Sequence, residues 1–96
     1  MNVAVGFDTS CYTTSAAAVN RQGEVVAFAR KLLPVETGQR GLRQSEAVFA
    51  HVKQMPLIMT ELQQQLAGTE ARIVAVCASA SPCDGEDSYM PVFTVG

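Results

Sequence analysis

The stretch Arg72 to Ala78 limits the possible folds more than any other part of the chain. Ile73, Val74, Ala75, Val76 and Cys77 make a near-continuous apolar run, the pattern of a strand buried on both faces of a sheet. Before it lies a different period. Val48, Val52, Met55, Met59, Leu62 and Leu66 fall at alternating steps of four and three, which draws one apolar stripe along a helix. A strand that follows a helical crossover should lie parallel to an earlier strand. The chain is therefore expected to be α/β, with a mixed sheet.

The first third reads as three short strands. Asn2 to Phe7 places Val3, Val5 and Phe7 on one face, with Ala4 and Gly6 on the other. Thr13 to Val19 is β-branched and small, and Glu24 to Leu33 alternates. Asn20-Arg21-Gln22-Gly23 is a tight-turn signal, because Asn and Gly accept positive φ. Two turns between three strands make an antiparallel meander. Pro34 to Gly41 reads as a loop. Ser45 is the expected helix cap; Glu46 is adjacent to it rather than three residues on, so no capping box is expected. Pro56 should kink the helix or divide it, and Gly68 should close it. Ser79 to Ser88 reads as a loop, and Tyr89 to Gly96 turns apolar again. The order is β-β-β-α-β, without internal repeats.

Composition narrows the class. Apolar residues make up 48% of the 96 and charged residues only 17%, which argues against disorder. Seven Lys and Arg against nine Asp and Glu give no basic field for nucleic acid. No uncharged apolar run reaches the ~20 residues of a spanning helix, and Met1 leads directly into a strand without a signal-peptide pattern. A small cytoplasmic domain, or part of a larger one, is expected. Cys11, Cys77 and Cys83 are odd in number and lack C-x-x-C spacing, which fits reduced thiols. A Cys11–Cys77 contact requires neighbouring strands.

Few residues invite a chemical role. Asp8-Thr9-Ser10 lies between two strands. Such a segment either faces a phosphate with its amides and hydroxyls or is an Asx or ST turn that ends a strand. His51, the one histidine, lies beside the apolar stripe and reads as a half-buried helical residue. A ligand role needs a second donor at helical spacing, and there is none. Arg40, Arg43 and Lys53 read as a solvated charged face, with a phosphate or partner contact as the other reading. Asp84, Glu86 and Asp87 lack the spacing of a calcium loop. Ser10, Ser79 and Ser81 carry no cue for a nucleophile. The residues supply no catalytic set and no metal set.

A four-stranded sheet with one helix covers one face only, and the chain ends within an apolar segment. The expectation is an incomplete domain, the N-terminal part (1–96) of a longer lobe; the other reading is a complete mini-domain closed by a second copy of itself. Either leaves a bare sheet face, so self-association is expected.

Phe7-Asp8-Thr9-Ser10-Cys11-Tyr12-Thr13-Thr14-Ser15 resembles the first phosphate-loop strand of the actin, heat-shock-protein and sugar-kinase ATPase superfamily. More narrowly it is similar to the Glu-Thr-Ser-Cys-Asp-Glu-Thr opening of the glycoprotease-like tRNA threonylcarbamoyladenosine transferases, formerly called O-sialoglycoprotein endopeptidases. Lys31-Leu32-Leu33-Pro34-Val35, the run from Arg40 to Ala47, Phe49-Ala50-His51-Val52-Lys53 and Ser88 to Gly96 resemble a divergent bacterial branch of that family. The run from Arg40 to Lys53 is the specific part. The resemblance spans the whole chain and about the first third of a family member. It implies a ribonuclease-H-like, actin-like ATPase lobe, of which β-β-β-α-β is the opening, with Asp8, Thr9 and Ser10 as nucleotide-phosphate candidates. For the parent family it implies an ATP-type nucleotide, a divalent metal, tRNA and protein partners. The family's metal ligands include a His-x-x-x-His pair that this sequence does not contain, so no activity is expected of the chain alone. Tyr12 and Thr13 stand where typical members carry an acidic pair.

Overall fold

The computed structural model describes residues 1–10, 12–34, 43–79 and 91–96, Thr94 by its backbone alone. Strands β1 (Asn2–Asp8), β2 (Thr13–Asn20) and β3 (Val25–Leu32) precede helix α1 (Gln44–Leu66). Strand β4 (Arg72–Ala78) and a 3-10 turn, Pro91–Val95, follow. The sheet order is β3-β2-β1-β4. The first three strands pair antiparallel and β4 runs parallel to β1. The chain is α/β, with a mixed four-stranded sheet and one helix. No helix among the described residues is long and apolar enough to cross a membrane.

Local chemistry explains the meander. Asn20 Oδ1 accepts the backbone N–H groups of Gln22 and Glu24, each at 3.0 Å. This Asx turn folds the chain back, and Gly23 supplies the positive φ of 81° that the return needs. Alternation then sends Val3, Val5, Ala16, Ala18, Ala27 and Ala29 to one face, where Ile58 and Leu62 of α1 cover them.

The helix forms where its period places it, but a different face points inward. Its buried residues are Ala47, His51, Gln54, Ile58 and Leu62. Of the expected stripe, Val52 is 55% exposed and Met59 44%. Leu62 is buried as expected and Val48 and Leu66 pack at the margins of the cores, so the inward face is offset by less than one residue step of about 100°. The partner surface accounts for this. The sheet offers α1 four small alanines and one buried hydroxyl, Thr14. Ile58 and Leu62 fill the space over the alanines, and His51 and Gln54 meet the hydroxyl.

Pro56 neither breaks nor divides α1. Val52 and Pro56 are both exposed, so the lost Val52–Pro56 bond falls on the outer row, where solvent replaces it. The cap also differs from expectation. The N-cap is Arg43, and the Glu46 carboxylate accepts the Arg43 backbone N–H at 3.3 Å. This is the capping-box reach that counting from Ser45 misses. Gly68, at φ 82°, follows the helix end as expected.

Strand β4 is the largest departure. It reads as doubly buried, yet all seven residues are exposed. Helix α1 packs on β2 and β3, and among the described residues β4 is an edge strand of the sheet. The opposite edge is closed differently. The Gln65 side-chain amide lies alongside β3, accepting the Phe28 N–H at 2.8 Å and donating to its C=O at 2.7 Å. It occupies the outward N–H and C=O of Phe28, two of the groups another strand would use.

Candidate functional site

Asp8 ends β1 beside the end of its parallel neighbour β4. The Ser79 N–H donates to the Phe7 carbonyl at 3.1 Å and continues that ladder. Asp8 Oδ1 accepts the Ser10 backbone N–H at 2.9 Å and the Ser79 hydroxyl at 2.7 Å. The first bond is an Asx turn; the second ties together two segments 71 residues apart. Partial burial pushes the Asp8 carboxyl up. Hydrogen bonds from Ser10 and Ser79, with a smaller contribution from His51, outweigh it and hold the group below its ordinary value of 3.8.

A lowered native value means that ionised Asp8 stabilises the fold above the ordinary carboxylate range, and that this contribution fades as pH falls through the native value. Asp8→Asn should therefore be slightly less stable than wild type at neutral pH, and the gap should close below about pH 4. Thermal unfolding from about pH 7 to about pH 2 measures this. A gap of constant size across the series would show that the charge plays no part.

Thr9 turns the other way. It is fully buried; its hydroxyl donates to the Val92 carbonyl at 2.6 Å and accepts the Gly96 N–H at 3.2 Å. Of the three phosphate-loop candidates, Asp8 and Ser10 stand toward solvent and Thr9 fastens the 91–95 turn. Val92 and Phe93 in that turn pack with Leu33 and Ala47 in a second core.

Behind the loop is a polar cluster. His51 is fully buried rather than half-buried. Its Nδ1 lies 2.7 Å from Thr14 Oγ1, and Gln54 Nε2 donates to the same oxygen at 3.1 Å and to the Lys31 carbonyl at 3.3 Å. A carbonyl only accepts, so Lys31 fixes which end of the Gln54 amide faces inward. Thr14 Oγ1 accepts from Gln54 and shares a second hydrogen bond with His51 Nδ1. No buried side-chain nitrogen or oxygen among the described residues lacks a partner. Sequence reading placed neither Thr14 nor Gln54 here. The one available signal was a run of polar residues, His51 and Gln54, at helical spacing.

The other candidates do not join the site. Arg43 heads α1, and Lys53 lies over the Phe49 ring, 5.5 Å from its centre. Cys77 is a free, exposed thiol on β4. Cys11, Arg40, Ser81, Cys83, Asp84, Glu86 and Asp87 lie outside the described residues. Among the described residues no three His, Cys, Asp or Glu side chains group as a metal site. Comparison of the chain with known protein families and with curated proteins finds no match.

Proposed function

We propose that the chain is the opening part of the first lobe of a ribonuclease-H-like, actin-like ATPase fold, in a cytoplasmic protein of the glycoprotease-like threonylcarbamoyltransferase type. The observation that carries this reading is the position of Asp8. Its carboxylate sits at the carboxyl ends of the parallel pair β1 and β4, oriented by Ser10 and Ser79. Ligands of open α/β sheets bind outside those strand ends. The order β3-β2-β1-β4 is compatible with the same fold.

On this reading the Ser10 amide and hydroxyl face the phosphates of an adenine nucleotide, the Asp8 carboxylate holds water beside them, and Thr9 fastens the loop from behind. The described residues do not assemble a metal site, and no step is assigned through one. Transfer chemistry and tRNA belong to the longer parent protein. The 96-residue chain is expected to bind weakly and turn nothing over.

Nuclear magnetic resonance of the labelled chain, titrated with magnesium ATP to millimolar concentration, tests this. Shifts are expected at Asp8 to Ser10 and Ser79, and loss of them in Asp8→Ala. Shifts confined to other elements, or none, would overturn the phosphate role.

A second reading, a protein-interaction module without catalysis, draws on the exposed apolar β4. The coding sequence beyond Gly96 separates the two. A helix followed by His-x-x-x-His supports the transferase reading, and a stop codon supports the module.

A further inference from the structure

We infer that the Gln65 side chain is a built-in strand surrogate, which keeps the β3 edge of the sheet from pairing with a strand of another chain. The inference is independent of the nucleotide reading. An edge strand presents a row of N–H and C=O groups with which a neighbouring chain can pair. Among the described residues β3 is one of the two edges. In an antiparallel pair, alternate residues turn their backbone groups outward. Phe28 is such a residue, because its N–H and C=O meet Gln65 rather than β2. The same alternation turns the groups of Arg30 and Leu32 outward.

A primary amide carries an acceptor and donors side by side, as a strand residue presents them. Gln65, 37 residues away near the end of α1, accepts from the Phe28 N–H at 2.8 Å and donates to its C=O at 2.7 Å. Both lengths are those of good ladder bonds, so one side chain reproduces one rung of a strand pair. The edge it closes is otherwise suited to pairing. Val25, Phe28 and Leu32 are 62%, 49% and 70% exposed, and such residues favour strands. The other protections lie toward the two ends of β3. Arg30 and Lys31 are exposed charges on one side of Phe28. On the other, Val26 is the extra residue between the Ala18–Ala27 and Val19–Val25 pairs, a bulge. Gln65 covers the middle.

Amide exchange and light scattering on the purified chain test this. In wild type the Phe28 amide should exchange about tenfold or more slowly than the Arg30 amide, although both point away from β2. Gln65→Ala places a good helix former at an exposed position, so circular dichroism should be unchanged. Its average mass should climb above that of wild type as concentration rises from micromolar to millimolar. Adding Leu32→Lys, a charge at an exposed outward position, should return the mass to the wild-type value. Gln64→Ala, one position earlier on α1, should match wild type throughout. A Gln65→Ala protein that loses stability but keeps the wild-type mass would make Gln65 a tie between helix and sheet only, and overturns the inference. So does association that persists with Leu32→Lys, or a Phe28 amide that exchanges as fast as that of Arg30.

Discussion

Thr14→Val is expected to cost about 2–3 kcal/mol of folding stability, a large share of the ~5–15 kcal/mol that holds a domain. Valine matches threonine in shape and suits a strand, so neither a cavity nor lost β propensity contributes. The cost comes from the partners left behind. His51 Nδ1 and Gln54 Nε2 both meet the Thr14 hydroxyl in a buried setting, and each buried polar group deprived of a partner costs roughly 1–3 kcal/mol. Gln54 retains the Lys31 carbonyl, which keeps the sum toward the lower end. Chemical denaturation of both proteins measures the difference. The double variant Thr14→Val, His51→Leu should regain part of the loss, because removing both ends of a hydrogen bond leaves less unsatisfied than removing one. Strictly additive losses would mean that the two residues do not act as a pair.

Phe93→Ala should act locally and strongly. Truncating a buried phenylalanine costs about 3–5 kcal/mol, and Phe93 is 7% exposed in the small core it shares with Leu33, Ala47 and Val92. That core ties the 91–95 turn to the start of α1, apart from the Val3, Val5, Ile58 and Leu62 core beneath the helix. Hydrogen exchange should therefore rise sharply for the Gly96 amide, which Thr9 holds, while amides of β1 to β3 keep most of their protection. The freed Thr9 hydroxyl would then loosen the loop that carries Asp8 and Ser10. Uniform loss of protection across the sheet would show instead that the two cores open together.

The sequence made the meander legible because its signals are local. The Asn20 to Gly23 turn and the alternation of β1 to β3 need only neighbouring residues. The same holds for Asp8 as the end of a strand. What remained hidden depends on distant partners. Thr9 meets Val92 and Gly96 across 83 and 87 residues, and Asp8 meets Ser79 across 71. Hydrophobic period revealed α1 but not its inward face. Over a sheet of alanines and one threonine, His51 and Gln54 pack better than Val52 and Met59, and no scale of residue hydrophobicity contains that information. The apolar run of β4 likewise told strand from loop. Whether a strand is central or marginal is decided by what lies on either side of it.

The bare methyl groups of Ala16, Ala18, Ala27 and Ala29 have one more consequence. They set how near α1 lies, and Ile58 and Leu62 rest directly on them. His51 is seven residues up the same rigid rod from Ile58, roughly 10 Å away. A bulkier residue beneath the rod, such as valine at position 27, would lever the far end outward and stretch a 2.7 Å bond it never touches. Steric volume at one end of the helix and hydrogen-bond length at the other are thus mechanically one variable.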